Sequence, residues 1–335
     1  MSCPTMTSQT EKVLMAHGSG GTLSSQLLDT VFLPAFSLSS ESLHDGAIFT
    51  LGDQQFAFTT DTYVVNPLFF PGGNIGDLAV NGTVNDLAMC GAVPQFLSCG
   101  FVLEEGFDLS SLQRIVSSMQ AAAQKCGVEL VTGDTKVVER GKGDGVFINT
   151  SGIGLIRGPA LSPKKIQTGD VVIVSGDIGR HGTAILSERE GFTFESTIES
   201  DTMELSSMMQ QLLKSQVDIH CARDITRGGL ATILVELAQS AGLGMAIDES
   251  RVPVNGFVRG ACEFLGLDPL YVACEGRFVL FVPASEAKKA LQIIGPAACI
   301  IGEVLSDSPF VTAKTSIGSQ RIIDKLSGDQ LPRIC

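Results

Sequence analysis

Apolar positions along this chain recur either every third or fourth residue or every second residue, and the two rhythms alternate through its length. DLSSLQRIVSSMQAAAQKCG is the clearest helical stretch of the first half. Asp108 or Ser110 is placed to cap its start and Gly127 to stop it. Upstream, LSSQLLDTVFLPAF has helical spacing and predicts a short helix before a proline turn. In GDLAVNGTVNDLAMCGA, the residues Leu78, Val84, Leu87 and Ala88 mark one helix face. AIFTLGDQQFAFTTDTYVV reads as a hairpin around Gly-Asp, and PQFLSCGFVLEE as a strand. VELVTGDTKVV predicts a strand running into a turn, and GVFINTSGIGLIR a strand with glycine interruptions.

A stretch rich in Pro, Gly and Lys, GPALSPKKIQTGD, then separates two strand-like runs, as domain linkers do. Beyond it DVVIVSG opens a second unit. Helices are expected at ELSSMMQQLLKS, GGLATILVELAQSAG and PVNGFVRGACEFLG, strands at YVACEGRFVLFVP and CIIGEVLS, and a last hairpin at SPFVTAKTSIGSQRIIDKL. The expected fold class is α/β (α+β) in two domains. An N-terminal extension and helix occupies 1–42, a first domain 43–160, a second α/β domain 161–326, and a mobile tail 327–335 ends on Cys335.

Composition adds limits rather than an identity. The 335 residues are 44% hydrophobic and 18% charged, an ordinary globular balance with no signature of disorder. A net charge of -13 argues against nucleic-acid backbone binding, which needs a positive surface. It leaves room for a small phosphate ligand held locally. Neither a basic flank followed by an apolar run near the start nor an apolar run of membrane-spanning length is present, so the expected location is cytoplasmic, away from membranes. The 9 cysteines are scattered without a CxxC pair and predict buried free thiols in a reducing compartment. Four histidines, far apart, make a zinc site a poor expectation.

Candidate chemistry lies in glycine- and acid-rich segments. Asp45 in HDGAIF, Asp86 in NGTVNDLAMCG and Asp224 in ARDITRGG offer hard oxygen ligands of the kind Mg²⁺ takes together with phosphates. Each is equally at home as a turn former or helix cap. TGDTKVVERGKGDG sets Asp134, Lys136, Arg140 and Lys142 among glycines, as a phosphate-wrapping loop or as a solvated hairpin tip. RDITRGG starts a helix whose free N–H groups suit an anion. SGDIGRHG forms a second glycine loop, where His181 is either a phosphate contact or a surface histidine. Walker A and G-x-G-x-x-G patterns are both absent.

Taken together, GTVNDLAMCGA, TGDTKVVERGKGDGVFINTSGIG, RDITRGGLATILVELA, CEGRF and the terminal PRIC resemble the HypE family of hydrogenase maturation factors across nearly the whole chain. More widely the chain is similar to the superfamily of aminoimidazole ribonucleotide synthetase, selenophosphate synthetase and thiamine monophosphate kinase. The resemblance implies a homodimer formed through the N-terminal domain, with ATP and Mg²⁺ in the cleft between domains. It implies that the carbamoyltransferase HypF loads a carboxamide on Cys335, that ATP-dependent dehydration turns it into a thiocyanate, and that cyanide passes to a HypC–HypD complex for the iron of nickel-iron hydrogenase. On the resemblance, Cys335 is the carrier, Asp45, Asp86 and Asp224 are metal positions, and Lys136 and Glu275 are the pair that assists proton removal. Asp61, Asn81 and Asn85 face nucleotide or metal, and Asp134 and Thr135 accompany Lys136. Thr62, Asp177 and Arg227, with Arg140 and His181 from the loops above, complete the expected nucleotide-binding set. In the tail, Gly328 gives slack and Pro332 favours an extended path. Two rival expectations stand beside this one: a kinase or synthetase of the same fold acting on a free small molecule, and a non-catalytic scaffold.

Overall fold

The computed structural model describes residues 12–38, 44–192, 197–306, 308–328, 331 and 333–335. Pro332 therefore lies outside the described residues. A helical arm comes first, made of α1 (Thr22–Leu27), a π-turn over Leu28–Phe32 and α2 (Leu33–Phe36). Pro34 sits at the first turn of α2, where its missing N–H is not needed, so the helix continues through it.

The first sheet contains β1 (Ala47–Leu51) and β2 (Gln54–Tyr63), a hairpin whose two-residue loop is Gly52-Asp53. A small ribbon, β3 (Phe69–Phe70) and β4 (Gly73–Asn74), leads into α3 (Ile75–Met89). Then follow β5 (Ala92–Glu104), α4 (Leu109–Cys126), β6 (Glu129–Val138) and β7 (Val146–Ile156). The strand order is β1-β2-β7-β5-β6. Burial alternates strictly along β7, the period-2 signature of a sheet with one packed face. Asp108, not Ser110, caps α4: its carboxylate accepts from Ser111 N at 2.8 Å, and Gly127 ends the helix at φ 69°.

A second sheet follows. Its strands are β8 (Asp170–Val174), β9 (Cys221–Asp224), β10 (Gly244–Asp248), β11 (Phe278–Pro283), β12 (Cys299–Leu305), β13 (Val311–Lys314) and β14 (Gln320–Ile323). They run in the order β14-β13-β10-β12-β8-β11-β9. Interspersed helices are α5 (Arg180–Glu190), α6 (Ser206–Lys214), α7 (Gly229–Ala241), α8 (Gly256–Leu265) and α9 (Ala287–Ile294). Helix α7 packs on one face of this sheet, and α6 and α9 pack on the other.

Helix α3 joins the halves. Its residues are buried on every side, between the first sheet, α4, α6 and β9. A single apolar face underestimates it: the polar Asn81, Thr83, Asn85 and Asp86 are buried too. Asn85 clamps the two halves, donating to the carbonyls of Met203 and Glu275 while its Oδ1 accepts from Leu205 N at 2.7 Å.

Three segments depart from the pattern-based expectation. The SGDIGRHG loop turns at once into α5. Strand β6 runs straight through TGDTKVV, paired with β5 at Gly100↔Asp134 and Val102↔Lys136, and only 139–145 loops. Residues 272–277 are not strand, because strand β11 starts at Phe278. There Cys274 N bonds to Ile225 O and Glu275 N to Asp201 Oδ1, so backbone groups that a ladder would use are turned across the domain. Gly276 permits this: a Cβ there would lie 1.9 Å from the Asp201 carbonyl oxygen. Gly276→Ala is therefore expected to destabilise the fold by about 1–3 kcal/mol, as overpacking does. Thermal denaturation checks it, and an unchanged Tm would contradict this packing.

Candidate functional site

Strand β2, helix α3, strand β9 and the loop before β11 converge between the two sheets, and each delivers polar side chains to one cavity of about 420 Å³. Asp61 and Tyr63 come from the end of β2, Gly82 and Asp86 from one face of α3, and Arg223 and Asp224 from β9. Glu275 and Cys335 complete its wall. The spacing of four along a helix explains why Gly82 and Asp86 look the same way. Gly82 is required by its neighbour, since a Cβ would sit 2.1 Å from the Tyr63 hydroxyl oxygen. That hydroxyl donates to Asp61 Oδ2 at 3.1 Å.

One ligand oxygen each from Asp45, Asp86 and Asp224 lie within 4.8 Å of one another. Arg223 pairs with Asp45 Oδ1, and the Thr59 hydroxyl is 2.7 Å from Asp86 Oδ2. Asp45 Oδ2 is buried with no hydrogen-bond partner. Burial, reinforced by the neighbouring carboxylates, pushes the Asp45 and Asp86 carboxyls well above the usual range and that of Asp224 up to about 7. Three hard oxygen donors, one of them orphaned, under mutual repulsion fit a divalent cation of the Mg²⁺ type. Glu275 is 5% exposed, and its Oε1 also lacks a partner. Burial first, then Asp224, Asp201 and Asp61, raise its pKa well above the ordinary value, while Arg227 opposes them.

The tail enters this cavity. Asn66 N donates to the Arg333 carbonyl at 3.2 Å and Val64 N to the Cys335 carbonyl at 3.0 Å, extending the end of β2 by strand-like pairing. The Arg333 side chain returns a bond from Nε to Val64 O at 3.0 Å and pairs with Asp144 at 2.5 Å. Leu331 and Ile334 bury their side chains in the first core. Burial pushes the Cys335 thiol up to about 12; Glu275, Asp61 and Asp224 add to this and Arg227 works against it.

A smaller cavity of about 130 Å³ adjoins, sharing Thr62, Arg227 and Cys335 with the first. Its rim holds Gly18, Ser19 and Gly21 from the arm and Gly228 at the start of α7. Arg227 bridges the two, donating to Gly18 O at 2.9 Å.

The structure thus gathers Asp45, Asp61, Thr62, Asp86, Asp224, Arg227, Glu275 and Cys335 around one space. It does not bring Lys136 to Glu275 within one chain. Lys136 stands on the exposed β6, paired with Asp134, and its neighbour Thr135 bonds Asp134 through its backbone N–H. Arg140 lies in the loop after β6, against Gly106. Asn81 is buried facing Cys126, Asn85 serves the interdomain clamp, and Asp177 pairs with Arg180 and Arg277. His181 is fully buried, which corrects the surface alternative; its partners are Ser200 Oγ and the Ile334 carbonyl. Sequence reasoning passed over Thr59, Tyr63 and Arg223. Tyr63 is one of only two tyrosines, and Arg223 adjoins a candidate aspartate, so both carried a weak signal.

The AIR synthase related protein family matches twice, its N-terminal domain over residues 43–156 and its C-terminal domain over 167–314. The chain is 50% identical over 333 residues to the carbamoyl dehydratase HypE of Azotobacter vinelandii, covering 96% of this chain and 97% of that protein. A crystal structure of a HypE–HypF complex superposes with a TM-score of 0.85 at 45% identity, over 90% of this chain and 99% of that one. A hydrogenase maturation protein HypE in complex with ATP gives 0.82 at 45% identity, over 97% and 100%.

The acidic cluster makes a prediction of its own. Folded carboxyls that hold their protons more tightly than unfolded ones contribute stability that is complete below the unfolded carboxylate range. That stability is lost as pH rises through about 7, the value at Asp224. Asp86→Asn, which removes one charge, should raise Tm in EDTA at pH 8 by about 2 °C and abolish the further rise that Mg²⁺ gives the native chain. Thermal scans with and without Mg²⁺ decide it; a variant less stable than native in EDTA would contradict the repulsion.

Proposed function

This chain belongs to the carbamoyl dehydratase HypE family, and on that premise we propose that it dehydrates a carboxamide carried on its own Cys335, with ATP as the co-substrate. The observation that carries the proposal is the seat of the Cys335 sulfur. It shares one buried cavity with the three-aspartate cluster and with an unpartnered glutamate.

An amide oxygen leaves badly, so it must first be made part of a good leaving group. The carboxamide oxygen attacks the γ-phosphorus of ATP, giving ADP and an O-phosphorylated imidate, with one of the two N–H protons released to solvent. Loss of the remaining N–H proton then expels phosphate and leaves S–C≡N on sulfur. Asp45, Asp86 and Asp224 would hold Mg²⁺, whose chemistry when bound is neutralisation of charge on the transferring phosphoryl group. Arg227, with Gly228 at the start of α7, lines the adjoining cavity and offers the nucleotide phosphates a buried cation there. Glu275 takes the proton. Its Oε1 has no hydrogen-bond partner and, unlike the orphaned oxygen of Asp45, it is not claimed by the cation cluster; Arg227 works to lower its pKa, and a bound cation would act the same way. Lys136 stands on β6, outside the cavity of its own chain and paired with Asp134.

Loading must happen elsewhere. Cys335 sits in the interior cavity, where burial raises its thiol pKa, so the outer position of the tail is the one suited to loading a carbamoyl group on sulfur. We therefore infer a tail that alternates between an outer position, where a HypF-type carbamoyltransferase loads it, and the inner one. A HypC–HypD-type acceptor would empty it. The HypE–HypF crystal structure of a relative supports the first partner. A homodimer through the first domain is supported by edge strand β6, which exposes Leu130, Val131 and Val137. The matched family spans favour domain limits near 43–160 and 161–326. Among the described residues no helix is long and apolar enough to cross a membrane.

Intact mass after mixing with the carbamoyltransferase, carbamoyl phosphate and ATP should show gain of one carboxamide and then loss of one water. Cys335→Ser should show neither yet bind ATP with affinity within about 2-fold of native, since serine is close to cysteine in size and leaves Arg227 and the aspartates in place. Glu275→Gln should gain the carboxamide and lose water at least about 100-fold more slowly, the usual scale for removing a general base. Turnover of a soluble amide by the Cys335→Ser chain would favour the small-molecule rival, and absence of Mg²⁺-dependent ATP binding would favour the scaffold.

A further inference from the structure

We propose that His181 is the positioning residue that seats the loaded sulfur, acting through the tail backbone rather than through nucleotide. The inference rests on the reading above, that Cys335 carries the group. His181 Nε2 lies 2.5 Å from the carbonyl oxygen of Ile334, the peptide immediately before Cys335. A carbonyl can only accept, so Nε2 carries the proton. The other nitrogen is set by Ser200: its Oγ accepts from Thr202 N at 3.1 Å, which leaves its own proton for His181 Nδ1 at 2.8 Å. The imidazole is wholly buried, and Phe70 stands edge-on to it at 5.5 Å between centroids. Burial lowers its pKa to about 4, so it is a neutral, fixed donor at physiological pH.

The rest of α5 serves the same end. Gly182 leaves the space that Leu331 fills, since a Cβ there would lie 3.0 Å from Leu331 Cδ1. Arg189, two turns on, donates from Nη2 to the Arg333 carbonyl at 2.7 Å and from Nε to Asn66 O at 2.9 Å. Successive tail carbonyls are thus gripped from two sides, Arg333 by Arg189 and Asn66, Ile334 by His181, and Cys335 by Val64. None of these contacts reads the cysteine side chain. The sulfur and whatever it bears are left free to face Glu275 and the aspartates, which is what a carrier needs.

The test uses the full chain with ATP and Mg²⁺, comparing native, H181L and H181Q. Leucine fills space without donating, whereas the glutamine amide still donates. Iodoacetamide labelling at Cys335, read by peptide mass, should be about 10-fold faster in H181L and within about 3-fold of native in H181Q, on the scale of one hydrogen bond. ATP affinity should stay within about 2-fold in both, and single-turnover water loss from the loaded chain should slow about 10-fold in H181L alone, with KM for ATP unchanged. Labelling of H181L at the native rate, or H181Q as fast as H181L, would overturn the assignment. Should H181L fail to fold, S200A must speed labelling by at least about 3-fold, and a native rate there also overturns it. If the native chain itself loses no water, the dehydration reading fails, and the labelling comparison still decides the role of His181.

Discussion

Like charges buried together govern this molecule. Asp45, Asp86 and Asp224 stand within one ion's reach of each other, with Glu275 and Asp61 alongside, around one cavity between the two sheets. Such a cluster is unfavourable on its own, because each carboxylate is desolvated and repels the next. It survives because Arg223 and Arg227 are buried beside it and because the fold around it is rigid. The cluster spans two halves of the chain, Asp45 and Asp86 in the first and Asp224 in the second. Helix α3, buried all round and clamped through Asn85, holds those halves in register. A site that repels itself is suited to a cation, whose charge would relieve the repulsion.

Most regular elements could be read from the pattern of apolar residues, since helices such as α4 and hairpins such as β1-β2 carry their periodicity and their turn residues locally. What escaped was set by tertiary contact. CEGRF looks like the start of a strand, yet Gly276 is pressed against Asp201 and the segment bends to present Glu275. GRHG looks like a loop, yet His181 is drawn inside by a partner 153 residues away. TGDTKVV looks like a turn, yet it pairs along β5 as an edge strand. In the site, the three aspartates stood out because each lies in a short segment that also carries glycine; Thr59, Tyr63 and Arg223 did not, because their roles depend on which side chain they meet across the cavity. Lys136 was the opposite case, a residue conspicuous in sequence that one chain leaves on its surface.

A tethered substrate shifts the usual problem of an enzyme from capture to release. Five side-chain and main-chain hydrogen bonds hold the last three residues, at about 1 kcal/mol each. Leu331 and Ile334 add burial at about 2 kcal/mol each. Against this stands about 1.5 kcal/mol for each of the four described residues, Leu331 and 333–335. Arg333 adds about 1 kcal/mol more by taking φ 55°, which side-chain-bearing residues rarely adopt. The two sides nearly cancel. A tail so balanced can be drawn in by a bound nucleotide and cation, which relieve the repulsion it meets, and let go when they leave. Grip by backbone carbonyls suits that role, because it is indifferent to what the sulfur bears: free thiol, carboxamide and thiocyanate all present the same main chain to His181, Arg189 and Val64. Discrimination among the three would then fall to the groups that line the cavity beside the sulfur, Glu275, Arg227 and the aspartates, whose charge a bound cation would set.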